Sequence, residues 1–298
     1  MTDAPALSLV GLGNMGAAMA ARWVDGGVAV HGFDVSEGAR AALAKSGGTA
    51  YPTAADAAIA SSVCVLMLPD SRIVDAVLTD LLAQDALVPG SLVIDMSSSE
   101  PMNSRVNADR LADVGVDFID APVSGGVRGV VAGTLAIMAG GADRLVARAR
   151  PALEHLGSVT YVGPVGAGHA AKALNNLVSA SHLWMTSEAV LVAERFGIAP
   201  STMVDVLNAS TGRSVSSEVK WPKFILNEAY DSGFFARLLS KDASVATGLA
   251  AELGLPPLMG VQVAELWRQA VAEMEPTADH TAIAQWIRGR LDAEGERE

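Results

Sequence analysis

The sequence predicts an α/β architecture in two parts. An N-terminal doubly wound Rossmann domain, residues 1–164, precedes a C-terminal all-α domain, residues 165–298, and a long helix near 168–196 is shared between them. Three observations carry this. A glycine motif, Gly11-Leu12-Gly13-Asn14-Met15-Gly16, lies between an apolar run and a helical pattern. Short apolar strands then alternate with helices as far as Val162, the pattern of a parallel sheet covered on both faces. Beyond Gly168 strand signals are scarce and helical patterns follow one another.

Leu7–Val10 reads as a buried strand, the glycine motif as the turn, and Ala17–Val24 as the first helix. Val28–Phe33 is the second strand and ends at Asp34. Ser36–Lys45 and Thr53–Ala60 are helical, and Val63–Leu68 is a strand closed by Pro69. Ser71–Leu82 is a helix with Asp75 and Asp80 outward, and Pro89-Gly90 turns the chain into the strand Ser91–Met96. The helix Pro101–Val114, the strands Phe118–Ala121 and Leu135–Met138, the helix Ala142–Leu156 and the short strand Thr160–Val162 complete the first domain. The glycines of the Gly163–Gly168 loop and Pro164 discourage helix before about residue 168. The helix that follows runs to Phe196, where Gly197 and then Pro200 stop it. Leu174, Leu177, Val178, Leu183, Trp184, Met185, Val190, Leu191 and Val192 make it apolar on most sides, so burial is expected. Ser201–Ala209, Phe235–Gly254, Leu258–Glu273 and Thr281–Arg290 follow as helices, separated in places by Pro256-Pro257 and Glu275-Pro276, and the charged tail Asp292–Glu298 is expected to fray.

Chemistry enters at the carboxyl ends of strands, where ligands gather in such sheets. The glycine motif allows a tight turn, close approach of backbone to a pyrophosphate and close helix–strand packing, with the helix N-terminus facing the phosphate charge. Asp34, 18 residues after Gly16, stands where an acid binds ribose hydroxyls. Motif and acid together point to an adenine dinucleotide. The acid repels a 2′-phosphate, and the nearest arginine, Arg40, is six residues on, so NAD is expected over NADP. Ser124-Gly125-Gly126 offers a hydroxyl and backbone N–H groups at a strand's end. It reads either as an anion cradle or as a turn whose glycines relieve backbone strain. Lys172 lies in the first turns of the long helix with Asn176 one turn on. Burial and the positive end of the helix dipole both disfavour its ammonium form, as an acid/base near neutral pH requires. The alternative is a lysine whose stem follows the helix while its head reaches water. His169 is expected to cap the helix start or face solvent, and His182, Trp184 and Met185 to serve the core or an interface. Arg128 and Arg213 are weaker candidates for an anionic group of a substrate, and Arg213 also for contact with a partner subunit.

Composition narrows the classes. Hydrophobic residues are 50% and charged residues 18% of 298, a well-cored globular composition. No apolar run approaches the roughly 18–20 residues of a membrane span. The net charge of −12, without a basic stripe, argues against nucleic acid. The five histidines show no metal-ligand spacing, so no metal is expected. The single cysteine, Cys64, and the few residues before the first strand fit a cytoplasmic protein without a leader peptide.

Four motifs, in order, carry a resemblance: Gly11–Gly16, Asp120-Ala121-Pro122-Val123-Ser124-Gly125-Gly126, Gly166-Ala167-Gly168 leading to Lys172-Ala173-Leu174-Asn175-Asn176, and Lys241-Asp242. Over nearly its whole length the chain resembles the β-hydroxyacid dehydrogenase family, of the 3-hydroxyisobutyrate dehydrogenase type. The resemblance implies Lys172 as catalytic acid/base and Asn176 as the residue that positions substrate or lysine. It implies Ser124, Gly125 and Gly126 as the substrate-carboxylate site, and Leu68, Pro69, Ser98 and Lys241 as cofactor contacts beside Gly11, Leu12, Gly13, Asn14, Met15, Gly16 and Asp34. Hydride transfer between NAD and a small β-hydroxy acid or semialdehyde is the implied reaction, in a homodimer or homotetramer. Ser98 stands where threonine is common, Ala243-Ser244-Val245-Ala246 is poorer in leucine than usual, and Arg128 and Val130-Val131 replace smaller or acidic residues. These departures bear on which substrate is used. Imine reductases share the architecture but usually lack a lysine at position 172. A non-catalytic dinucleotide-binding relative would have lost that lysine.

Overall fold

The computed structural model describes residues 6–256 and 258–295. Residues 1–5, Pro257 of the expected Pro256-Pro257 break, and residues 296–298 of the charged tail lie outside that description. Compactness divides the chain into two units, Met1–Lys172 and Ala173–Glu298.

In the first unit β1 (Ala6–Val10), β2 (Ala29–Phe33), β3 (Thr49–Ala50), β4 (Val63–Leu66), β5 (Leu92–Asp95) and β6 (Asp117–Asp120) form a parallel sheet in the order β3-β2-β1-β4-β5-β6. The chain leaves β1 in one direction for β2 and returns on the other side for β4, so a crevice opens between the carboxyl ends of β1 and β4. Alternate side chains face opposite sides of the sheet. Leu7, Leu9, Val65 and Ile94 pack with α1 (Asn14–Asp25) and α7 (Asp143–Glu154), where Trp23, Met19 and Leu153 are fully enclosed. Val10, Cys64, Leu66 and Val93 pack the other way against α3 (Ala54–Ile59), α4 (Ser71–Ala83) and α5 (Pro101–Ala112). Each fully buried aliphatic side chain contributes roughly 1.5–3 kcal/mol. Burial pushes the Cys64 thiol up to about 11, against a hydrogen bond from Ser8, so this cysteine is inert.

The sheet is not parallel throughout. β7 (Val123–Ser124) and β8 (Leu135–Gly140) run antiparallel, and β8 is antiparallel to β6 at the single pair Asp120 and Gly140. Between β7 and β8 stands only α6 (Gly126–Ala132), too short a connection to carry the chain back to the opposite end of the sheet. β9 (Gly157–Gly163) pairs in parallel with β8 and is longer than the expected Thr160–Val162.

The second unit is built of helices. α8 (Ala167–Phe196), which the division crosses, is 30 residues long, about 45 Å at 1.5 Å per residue. It is followed by α9 (Pro200–Ala209), a π-helical segment Ser216–Ile225 that sequence patterning did not announce, α10 (Ala236–Glu252), α11 (Met259–Glu273) and α12 (Ile283–Gly295). The core is organised on Trp184, with the rings of Trp267 and Trp286 at 5.9 and 5.7 Å, and Trp267 donates Nε1–H to the Ala180 carbonyl. The expected burial of α8 on most sides is corrected. One face is buried, whereas Leu174, Val178, Met185, Val192 and Phe196 are exposed along another, as is His182.

Candidate active site

The first unit gathers most of the expected residues at the carboxyl edge of its sheet. Each glycine of the turn after β1 has a distinct cause. Gly11 has φ +102°, and a Cβ there would lie 2.2 Å from the Met67 carbonyl oxygen; one on Gly16 would lie 2.0 Å from that of Gly11. Gly13, by contrast, is exposed, and a Cβ there would meet no protein atom within 4 Å. It heads α1 without a side-chain cap or an acid in the first turn. The bare backbone of Gly13, Asn14 and Met15 thus fits the pyrophosphate of a dinucleotide. Asp34 locks to this loop: Oδ2 accepts from Leu12 N at 2.7 Å and Oδ1 from Ser36 N at 2.8 Å. A carboxylate oxygen that accepts one such bond has room for a second hydrogen-bond donor.

Two more loops converge there. Leu68 N donates to Ser97 Oγ at 2.9 Å, joining the Leu68-Pro69 loop after β4 to the Ser97-Ser98 loop after β5. Asp95 holds the second loop by accepting from Ser97 N and Ser99 Oγ. Ser124 ends β7, and Gly125 and Gly126 take φ +131° and +61°, conformations that favour glycine. A Cβ on Gly126 would point into open space, so a cradle for a small anion fits, and both glycines are exposed.

The start of α8 is fixed by Asp120, at the end of β6. Its carboxylate accepts from Gly166 N at 2.7 Å and His169 N at 2.8 Å, a cap supplied by another element. Gly168 is obligatory for this approach, since its Cβ would stand 2.8 Å from Asp120 Oδ2. Burial pushes the Asp120 carboxyl above its usual range, opposed by neighbouring His169. His169, expected at a cap or in solvent, is instead wholly enclosed. Its Nδ1 lies 2.7 Å from Ser104 Oγ and its Nε2 donates to the Ser97 carbonyl at 3.1 Å. Asp95 and Asp120 flank it at 3.9 and 3.8 Å. Lys172 follows one turn later and is 8% exposed, so its head is not in free solvent.

In the second unit Asn176, one turn further along α8, donates Nδ2–H to Asp242 Oδ2 at 2.6 Å, and Lys241 Nζ lies 3.5 Å from Asp242 Oδ1. Arg213 is exposed and faces Glu218 at 3.5 Å, and Arg128 is exposed on α6. Among the described residues no group of acids, histidines and cysteines could hold a metal ion, and no helix is long and apolar enough to cross a membrane.

The glycine turn after β1, the exposed Ser124-Gly125-Gly126 turn and an enclosed lysine on a capped helix form the arrangement expected of a nucleotide-dependent oxidoreductase. Residues 6–163 match the family described as the NAD binding domain of 6-phosphogluconate dehydrogenase, and residues 166–287 the one described as NAD-binding of NADP-dependent 3-hydroxyisobutyrate dehydrogenase. The chain is 34% identical over 294 residues to the probable 3-hydroxyisobutyrate dehydrogenase of Mycobacterium tuberculosis H37Rv, covering 96% of this chain and 99% of that one. It is 33% identical to the NAD-dependent L-serine dehydrogenase of Pseudomonas aeruginosa, over 93% of this chain and 96% of the relative. The solved structure of Mycobacterium tuberculosis 3-hydroxyisobutyrate dehydrogenase with L-serine superposes with a TM-score of 0.90 at 32% identity, over 96% of this chain and 99% of that one. An imine reductase from Streptomyces aurantiacus, with a TM-score of 0.64 at 19% identity over 95% of this chain and 99% of that one, shares the fold alone. The chain belongs to the β-hydroxyacid dehydrogenase family, the NAD-dependent oxidoreductases of the 3-hydroxyisobutyrate dehydrogenase type.

Proposed function

We propose that the chain interconverts a small β-hydroxy acid, of the size of 3-hydroxyisobutyrate or L-serine, and its semialdehyde, with Lys172 as the general acid/base. The observation that carries this is an enclosed lysine one turn beyond a helix start that Asp120 and His169 pin in place. NAD, when bound, supplies the hydride acceptor. Gly11–Gly16 hold its pyrophosphate, Asp34 its ribose, and Leu68, Pro69, Ser98 and Lys241 its remaining length. Ser124, Gly125 and Gly126 hold the substrate carboxylate. Neutral Lys172 takes the hydroxyl proton at Nζ during oxidation and returns it to the carbonyl oxygen during reduction. Asn176 orients the reacting hydroxyl or the lysine. A homodimer or homotetramer in a reducing, cytoplasmic compartment completes the proposal.

The test is Lys172→Ala. Turnover of 3-hydroxyisobutyrate and L-serine should fall by at least about 100-fold, the scale of a lost acid/base group, while NADH affinity followed by fluorescence stays near wild type. Retention of most of kcat would remove Lys172 from the mechanism.

A further inference from the structure

We infer that Asp242 is a positioning residue that fixes the amide of Asn176 for the reaction. The inference rests on the role proposed above for Asn176 and assigns a device to it. Asp242 lies on the inward face of α10, 4% exposed, and Asn176 on the inward face of α8, 6% exposed. The bond between them, Nδ2–H to Oδ2 at 2.6 Å, is short enough to be charge-assisted.

An ionised carboxylate can only accept, and an asparagine amide presents a donor on one side and an acceptor on the other. Asp242 therefore tolerates one of the two amide orientations and repels the other. Asn175 Nδ2 donates to Asn176 Oδ1 at 3.2 Å, which favours the same orientation. Asn176 Oδ1 keeps a lone pair, one helical turn from Lys172, and a substrate hydroxyl or a lysine ammonium is a donor that needs an acceptor. An amide free to flip would offer the wrong group about half the time.

A role in packing alone does not call for aspartate here. A buried carboxylate is costly to desolvate, and an apolar side chain of similar shape fills the same volume more cheaply. Lys241, whose Nζ lies 3.5 Å from Asp242 Oδ1, is itself a proposed cofactor contact. One buried acid thus joins a substrate residue and a cofactor residue inside the second unit.

The experiment compares Asp242→Ala, Asp242→Asn and Asn176→Ala, by steady-state kinetics with 3-hydroxyisobutyrate or L-serine and by NADH titration. Circular dichroism checks folding, and Asp242→Leu, which keeps the volume, replaces the alanine variant if that one does not fold. Asp242→Ala should lower kcat by about 10- to 100-fold, the scale of a misplaced reacting group, with NADH affinity within about threefold. Asp242→Asn keeps an oxygen for Asn176 Nδ2 and should recover most of the lost kcat. A wild-type kcat in Asp242→Ala, no recovery in Asp242→Asn, or a loss confined to NADH affinity would each overturn the inference. Asn176→Ala separates the two levels. If it keeps wild-type kcat, the role of Asn176 itself falls. If it loses activity while Asp242→Ala does not, only the role of Asp242 falls.

Discussion

At Asp34 the carboxylate is held by two backbone N–H groups, so its charge is fixed beside the glycine loop rather than free to swing away. A 2′-phosphate brought to that place would meet a like charge, worth several kcal/mol in a partly buried site, and 1.4 kcal/mol is a tenfold preference. Arg40 tempers this. Its guanidinium donates to the backbone carbonyls of Asp34 and Val35 and lies 5.9 Å from the Phe33 ring centre, so a cation stands next to Asp34. NAD should therefore be favoured over NADP by about tenfold in kcat/KM. Asp34→Ala should narrow or reverse the ratio, and Arg40→Ala should widen it by weakening NADP alone. Equal use of both cofactors by the wild type would show that Asp34 does not face the ribose. The turn at Gly11, Gly13 and Gly16 and the strand end before Asp34 were legible in the sequence because their signal is local: glycines, their spacing and the end of one apolar run. His169 was not. Its burial depends on Asp95, Ser97, Ser104 and Asp120, which arrive from 49 or more residues away along the chain.

The elements that sequence patterning missed are those set by partners rather than by their own residues. Apolar alternation located β8, but no alternation states whether a strand runs parallel or antiparallel to its neighbour. The loop that follows the π-helical segment is held from elsewhere in the chain. Asp279 accepts from Ser232 Oγ, Gly233 N, Phe234 N and Thr281 N, and His280 Nδ1 donates to the Phe234 carbonyl at 3.0 Å. Burial, and then the charge of Lys220, push His280 down to about 4, against the opposing pull of Asp279. The folded state thus keeps His280 neutral while the unfolded chain protonates it near 6.5, so its contribution is complete above that value and is lost as pH falls toward 4. Between pH 7 and 5 this amounts to about 2 kcal/mol, at 1.36 kcal/mol per pH unit. The urea midpoint should drop over that interval, and His280→Gln should flatten the dependence even if it lowers stability at pH 7. A wild-type slope that His280→Gln leaves unchanged would place the titrating group elsewhere.

For the whole molecule, an apolar stripe of α8 stands exposed in the single chain. At 100° per residue, Leu174, Val178, Met185, Val192 and Phe196 fall within about 40° of arc, and they extend over about 33 Å of helix. Three of them, Val178, Met185 and Val192, are spaced by seven, the repeat along which two helices pack side by side. Phe196 is 85% and Met185 59% exposed, and Ser181, lying on the same line, is small enough for close approach. Scattered exposed apolar residues are ordinary, but a continuous line of them across more than six turns marks a contact surface. A second copy of the chain is the partner proposed for it, because a two-fold axis can set a stripe against itself. A stable dimer needs about 800 Å² buried on each side, more than one helix face provides, so neighbouring helices must contribute. Leu253, Leu255, Leu258 and Met259, all exposed at the end of α10 and the start of α11, supply further apolar area in the same unit. Sedimentation at about 10 µM, well above a nanomolar dissociation constant, should therefore give a dimer or tetramer. Met185→Asp with Val192→Asp should shift it toward monomer, because each would place an unpaired charge in the desolvated contact. A wild-type monomer at that concentration would reject the proposal, and an oligomer that both aspartates leave intact would move the interface off α8.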